Sequence, residues 1–130
     1  MTSAGPTAAA NPDASTNLRN FAGLVALIGA GKMGSALLDG WLRLGLDPAK
    51  LAVFEPTHGS APKYAGQYKV NPIATILAVK MMLDWLGESK KAIALEAAVA
   101  QVIQEGKVRT YDMGGTSTTM QMAQAVAEKL

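Results

Sequence analysis

The sequence has no cysteine, which excludes disulfides, thiolate nucleophiles and thiolate metal sites across all 130 residues. It has one histidine, His58, too few for a multi-histidine metal centre, and a lone loop histidine is more often a hydrogen-bonding residue than an acid or base. Charge is sparse: charged residues are 17% of the chain and the formal net charge is +2, too little to argue for nucleic acid or a membrane surface. The one basic pair, Lys90-Lys91, follows Glu88 and Ser89 and reads as a solvated helix start. No run approaches the ~20 apolar residues of a membrane span. What remains is a chain of about one domain, 49% hydrophobic, suited to a cytoplasmic globular protein.

Residues 1–22 are rich in Ala, Ser, Thr, Pro and Asn without an apolar period, so they read as a disordered leader. They lack the basic and apolar regions of a signal peptide, and Arg19 alone is too little positive charge for a transit peptide. Residues 23–56 read as a beta-alpha-beta unit. Leu24-Val25-Ala26-Leu27-Ile28 is apolar throughout, as in a strand covered on both faces, and Leu51-Ala52-Val53-Phe54 is the second strand. Between them a helix from about Lys32 carries Met33, Ala36, Leu37, Leu38, Trp41, Leu42 and Leu44 on a broad apolar face and stops at Gly45.

The strand-to-helix turn is Gly29-Ala30-Gly31-Lys32-Met33-Gly34, a GxGxxG pattern. In a dinucleotide site the first glycine permits the turn, the second admits a pyrophosphate and the third lets helix and strand approach, with phosphate on the helix N-terminus. Glu55, at the end of the second strand, suits a ribose hydroxyl or is a solvated strand end. The plainer alternative is a tight turn that binds nothing. This stretch, with Gly45-Leu46-Asp47-Pro48, resembles the N-terminus of pyrroline-5-carboxylate reductase over residues 24–56.

A different pattern follows. His58-Gly59-Ser60-Ala61-Pro62-Lys63-Tyr64, then Val70-Asn71-Pro72, closely resembles the cofactor loop of the isocitrate/isopropylmalate dehydrogenase family, and the likeness runs from Val53 to Leu130. The resemblance implies adenosine contacts on His58, Gly59, Ser60, Ala61, Pro62, Lys63, Tyr64 and Asn71, with His58 packing on adenine. Lys63, Tyr64 and Tyr111 match the NADP form of the family, whereas Gly115 stands where that form has an arginine and Asp112-Met113-Gly114-Gly115 looks more like the NAD form. Both NADP and NAD therefore stay open as cofactor.

The residues themselves predict three helices in this half. Asn71 is a good N-cap and Pro72 a good first residue for a helix to Leu86, so apolar on all sides that it should be buried. A second helix over 88–105 turns Ala92, Leu95, Val99, Val102 and Ile103 inward, and a third, from Ser117 or Thr118, uses Met120, Ala123, Val126, Ala127 and Leu130. The seven methionines read mainly as core fillers.

The fold class is thus α/β, a short Rossmann-like beta-alpha-beta unit followed by a mainly helical segment over 57–130. Catalysis would need metal-binding carboxylates, arginines for substrate carboxylates and an acid–base pair, which the resemblance places upstream of the HGSAP loop in sequence that this chain lacks. No residue is assigned a catalytic or metal role. The expected function is an NAD(P)-binding fusion of two oxidoreductase fragments without a complete catalytic site. One alternative is a subunit of an isocitrate/isopropylmalate dehydrogenase-like enzyme, completed by a partner chain that would bring Mg or Mn, and another is a structural fusion product that binds nothing. The expected partners are a dinucleotide and a second dehydrogenase subunit or another copy. Half a site implies a Kd no tighter than roughly 10–100 μM. The glycine turn, contained in residues 24–45, is expected to matter more for binding than the HGSAP loop.

Overall fold

A computed structural model describes residues 17–130, as a mixed α/β chain in the order β1 (Val25–Ile28), α1 (Lys32–Arg43), β2 (Leu51–Phe54), α2 (Ile73–Trp85), α3 (Ser89–Glu105) and α4 (Thr119–Ala127). β1 and β2 form a two-stranded parallel sheet. The chain divides into two units between Ala52 and Val53, slightly ahead of the boundary expected at residue 56.

In the first unit, Leu27 and Leu46 are buried. The expected covering of β1 on both faces is not found: Leu27 is its only buried residue, and Ile28 is 60% exposed. Nor does α1 bury its apolar face, since none of its residues is buried and Met33 is 79% exposed. Two strands and one helix give too few layers to cover both sides of a strand. Of the leader expected over 1–22, residues 1–16 lie outside the described residues. In the remainder, the Leu18 N–H donates to the Leu44 carbonyl at 2.7 Å, and the Lys50 ammonium donates to the Phe21 carbonyl.

The second unit holds the main core. Ala98, Val99 and Val102 of α3 pack with Met122 and Val126 of α4, and Ile73, Ile76 and Leu77 of α2 close against them. Helix ends lie close to where the sequence puts them. The Asn71 side-chain oxygen accepts from the Ile73 N–H at 3.0 Å, and Thr118 and Gln121 cap α4 reciprocally. Two phases differ from expectation. α3 turns Ala98 inward and leaves Ile103 45% exposed, while α4 buries Met122 and leaves Met120 61% and Leu130 70% exposed. Met122 and Val126, one turn apart, face α3.

The expectation that α2 is buried also fails, because it packs on α3 along one side and only Ala78 is buried. Met81 is 61% and Leu86 53% exposed, while Trp85 meets the Phe54 ring edge-on at 5.8 Å between centroids. Lys80 reaches Asp84 at 2.9 Å, the pair legible from i,i+4 spacing, and also Glu96 on α3 at 3.3 Å. Both carboxylates raise the Lys80 ammonium above its ordinary pKa.

Two predictions follow from local features of this unit. Tyr68 is 63% exposed and sits at φ 49°, a left-handed conformation that costs a residue with a Cβ about 1–2 kcal/mol. Tyr68→Gly is expected to raise stability by about 0.5–1 kcal/mol in urea unfolding, and an unchanged or lower midpoint would count against this strain.

Glu105 accepts from Lys129 at 2.5 Å and from Gln101 at 3.0 Å, and these bonds hold its carboxyl below the usual glutamate pKa. A depressed folded-state pKa gives stability that is present above the unfolded glutamate value and lost as pH falls through the folded one. Glu105→Gln should therefore lower the urea midpoint at pH 7, and the gap from wild type should shrink on acidification through the glutamate range. A gap that stays constant with pH would assign the effect to packing instead.

Candidate functional site

The residues expected at a dinucleotide site fall into two groups, one in each unit. In the first unit, Gly29, Ala30, Gly31, Lys32, Met33 and Gly34 form the turn from β1 into α1. A Cβ at Gly34 would strike the Gly29 carbonyl oxygen, so this glycine is needed for close strand–helix approach whether or not anything binds. Gly31 is the N-cap residue without a side-chain cap, nothing crowds it, and the Ser35 hydroxyl donates to the Ala30 carbonyl at 2.6 Å.

In the second unit the HGSAP loop and the start of α2 line an open cleft of about 460 Å³. Its size lies within the ordinary range of small-molecule sites, about 300–1,000 Å³. His58, Gly59, Ser60 and Ala61 form one wall, Val70, Ile73, Ala74 and Leu77 give an apolar floor, and Asn71, Tyr111 and Asp112 supply polar groups. Ala61 takes φ 43° and starts a short turn over Pro62–Tyr64, closed by the Tyr64 N–H donating to the Ala61 carbonyl at 2.9 Å. The His58 ring nitrogen lies 2.9 Å from the Gly59 carbonyl, which fixes the ring locally.

Asn71 does more than cap α2. Its amide nitrogen donates to Asp112 at 3.0 Å, which joins the loop to the segment before α4 and leaves each end of the amide one further hydrogen-bonding position. Burial acts to raise the Asp112 carboxyl, but hydrogen bonds from Thr110, Asn71 and backbone N–H groups outweigh it and hold the pKa below the usual carboxylate value. A second clamp runs from Thr119, whose N–H donates to Tyr68 at 2.7 Å and whose hydroxyl donates to Val70 at 2.5 Å.

At the Tyr111 rim of this cleft, the Tyr64 and Tyr111 rings lie 5.2 Å apart. The Lys63 ammonium is 4.8 Å from the Tyr64 ring centre, and Lys69 lies 5.3 Å from Tyr64 and 5.2 Å from Tyr111. A hydrogen bond from Tyr111, then the lysines, lowers the Tyr64 phenol below its ordinary pKa, while the bond to Tyr64 and burial raise Tyr111. Lys69 was not singled out by sequence, although its place just before Val70-Asn71 was a usable signal, and Asp112 was noticed only for its neighbours. Gly115 has no room for a side chain, because a Cβ there would run into the Arg109 backbone. An arginine at that position is thus closed to this chain, and Lys69 supplies positive charge beside Tyr111.

These groups fit the adenosine end of a dinucleotide: an apolar slot for a base, polar atoms at its edge and two cations with two phenols for a phosphate. They do not fit a divalent metal. Among the described residues no three His, Asp or Glu side chains gather into a cation site, so a metal would need ligands from elsewhere. Among the same residues no helix is long and apolar enough to cross a membrane.

The family model described as isocitrate/isopropylmalate dehydrogenase matches residues 22–126. The isocitrate/homoisocitrate dehydrogenase of Thermus thermophilus is 49% identical over 92 residues, 67% of this chain and 27% of that protein. The NADP isocitrate dehydrogenase of Archaeoglobus fulgidus is 44% identical over 106 residues, 74% of this chain and 25% of that protein. Among solved structures, isocitrate dehydrogenase from Methylococcus capsulatus matches with a TM-score of 0.59 at 43% identity, covering 62% of this chain and 24% of that one. A beta-decarboxylating dehydrogenase from Thermococcus kodakarensis matches at 0.58 and 32% identity, covering 74% and 31%. The chain therefore spans about a quarter of the length of these curated relatives. The family match begins ahead of the glycine turn, and nothing in these comparisons supports the likeness to pyrroline-5-carboxylate reductase or a Rossmann-like assignment. A short glycine triplet is weakly specific, and the close approach at Gly34 accounts for one of its members without a ligand.

Proposed function

Since the chain belongs to the isocitrate/isopropylmalate dehydrogenase family, we propose that it supplies the adenosine-holding part of an NADP site in a decarboxylating 2-hydroxy-acid dehydrogenase. The observation that carries this reading is the pair of ammonium groups, Lys63 and Lys69, at the Tyr64–Tyr111 rings on the rim of the His58–Asn71 cleft. A 2′-phosphate near two negative charges is held by such cations and phenols, while an unphosphorylated ribose gains little from them. The apolar floor then takes the base, and Asn71 and Asp112 offer hydrogen bonds at its edge.

In this reading the reaction itself belongs to groups beyond these 130 residues, on the same polypeptide or a partner subunit. NADP supplies the hydride acceptor when bound. This chain's residues bind and orient its adenosine end, and no side chain among them is assigned a proton transfer. Reading the chain as one subunit or portion of such an enzyme accords better with the family match than a fusion of two oxidoreductases does.

Calorimetric titration with 2′-AMP and 5′-AMP tests the reading. The 2′-phosphate nucleotide is expected to bind about tenfold more tightly, the scale of one charge-assisted hydrogen bond. Equal affinities would remove the assignment of Lys63 and Lys69 to a phosphate, and amide shifts confined to Gly29–Gly34 would move the site to the glycine turn.

A further inference from the structure

The three tyrosines of the sequence differ sharply in their surroundings. Tyr68 is the most open of them, at 63% exposure. Tyr64 is half-buried, with Lys63 4.8 Å and Lys69 5.3 Å from its ring and with the Tyr111 ring 5.2 Å away, tilted at 60° to it. The charged and titratable groups around this pair are Lys63 and Lys69 on the loop side, Tyr111 across from it, and Asp112 beyond Tyr111. Lys69 therefore serves both rings, Lys63 adds a second positive charge at Tyr64, and the carboxylate adjoins only Tyr111.

We propose that Tyr64 is a covalent modification site, a nucleophilic phenol that reacts with oxygen-seeking electrophiles of the aryl sulfonyl class in preference to the more exposed Tyr68. The phenolate oxygen attacks the electrophilic sulfur, an O–S bond forms and the S–F bond of an aryl sulfonyl fluoride breaks. Fluoride leaves and the phenol proton passes to solvent. The Tyr111 ring lies beside Tyr64 at 5.2 Å, and the Lys63 and Lys69 ammonium groups, 4.8 Å and 5.3 Å from the Tyr64 ring, stabilise the anionic form. The hydrogen bond from Tyr111 and the lysine charges also explain why this phenol ionises below the ordinary tyrosine range. The adduct would occupy the space between Lys63, Lys69 and Tyr111, so modification becomes a means of closing the phosphate site. That consequence rests on the proposed function, whereas the reactivity does not.

The test treats the whole chain with 4-toluenesulfonyl fluoride at pH 7.5 and maps adducts by peptide mass spectrometry over time. Tyr64 is expected to be labelled several times faster than Tyr68. Lys69→Gln and Lys63→Gln, each checked for unchanged circular dichroism, should each slow Tyr64 labelling by about fourfold, the effect of one unit charge at about 5 Å in water. Faster labelling of Tyr68, adducts on the lysines themselves, or a Tyr64 rate unmoved by both substitutions would overturn the inference. Protection is measured separately by adding 2′-AMP. Tyr64 labelling that is fast but unaffected by saturating 2′-AMP upholds the reactive phenol and defeats the phosphate-site reading. Slow labelling with tight 2′-AMP binding does the reverse.

Discussion

Replacing Lys63 and Lys69 together by glutamine is expected to weaken 2′-AMP binding by about tenfold while changing 5′-AMP binding less than about threefold, because hydrogen bonds to a charged phosphate are worth about 1.5–3 kcal/mol each and screening at an exposed rim reduces that. Both side chains are exposed and neither belongs to the core, so the fold should be unaffected. Salt provides a second check: the difference between wild type and variant should narrow from 50 to 500 mM NaCl as the Debye length shortens. A uniform loss for both nucleotides would show that the lysines shape the loop and do not select the phosphate. The sequence alone ranks the glycine turn, and so Gly31→Val, above the HGSAP loop, since that turn is locally complete. We now expect that substitution to leave 2′-AMP binding unchanged, as the cations and phenols that would recognise a phosphate lie elsewhere.

The second large effect concerns stability. Met122 is fully buried at the centre of the α3–α4 core, and Met122→Ala is expected to cost about 2–4 kcal/mol, through lost transfer energy and the cavity left behind. Urea unfolding followed by circular dichroism measures it. A loss below about 1 kcal/mol would mean that the site collapses readily and that α4 is less firmly seated than its packing implies. The same substitution at Met120, 61% exposed, should change stability by no more than about 0.5 kcal/mol.

Helix positions were legible because their ends carry local chemistry: Asn71 before α2, Gly106 after α3 and Thr118 before α4 all act within a residue or two of where they stand. Burial was less legible. Periodicity identifies an apolar face, but it cannot say whether a second layer covers it, so Ile28, Met33 and Met81 look like core residues in sequence and are exposed here. The phase of α4 was missed for a related reason. Met120 and Met122 are equally apolar, and only the position of α3 distinguishes them. In the candidate site, His58–Tyr64 and Asn71 were found through a long, spaced pattern. Lys69 and Asp112 matter through partners far along the chain, and a pattern reader has no access to such distances.

Asn71 bound to Asp112, and Thr119 bound to Tyr68 and Val70, have a consequence for inheritance. The HGSAP stretch looks portable, a short cassette that recombination could lift from one enzyme into another. The segment that follows it into α2, however, is tied through Val70 and Asn71 to residues some 40 to 50 positions downstream. A transplant of residues 57–72 alone would carry the letters of a binding loop without its form. A piece that keeps both clamps must run from His58 at least through Thr119, and a gene rearrangement that cuts between Asn71 and Asp112 breaks them even when it leaves every contact residue of the loop in place.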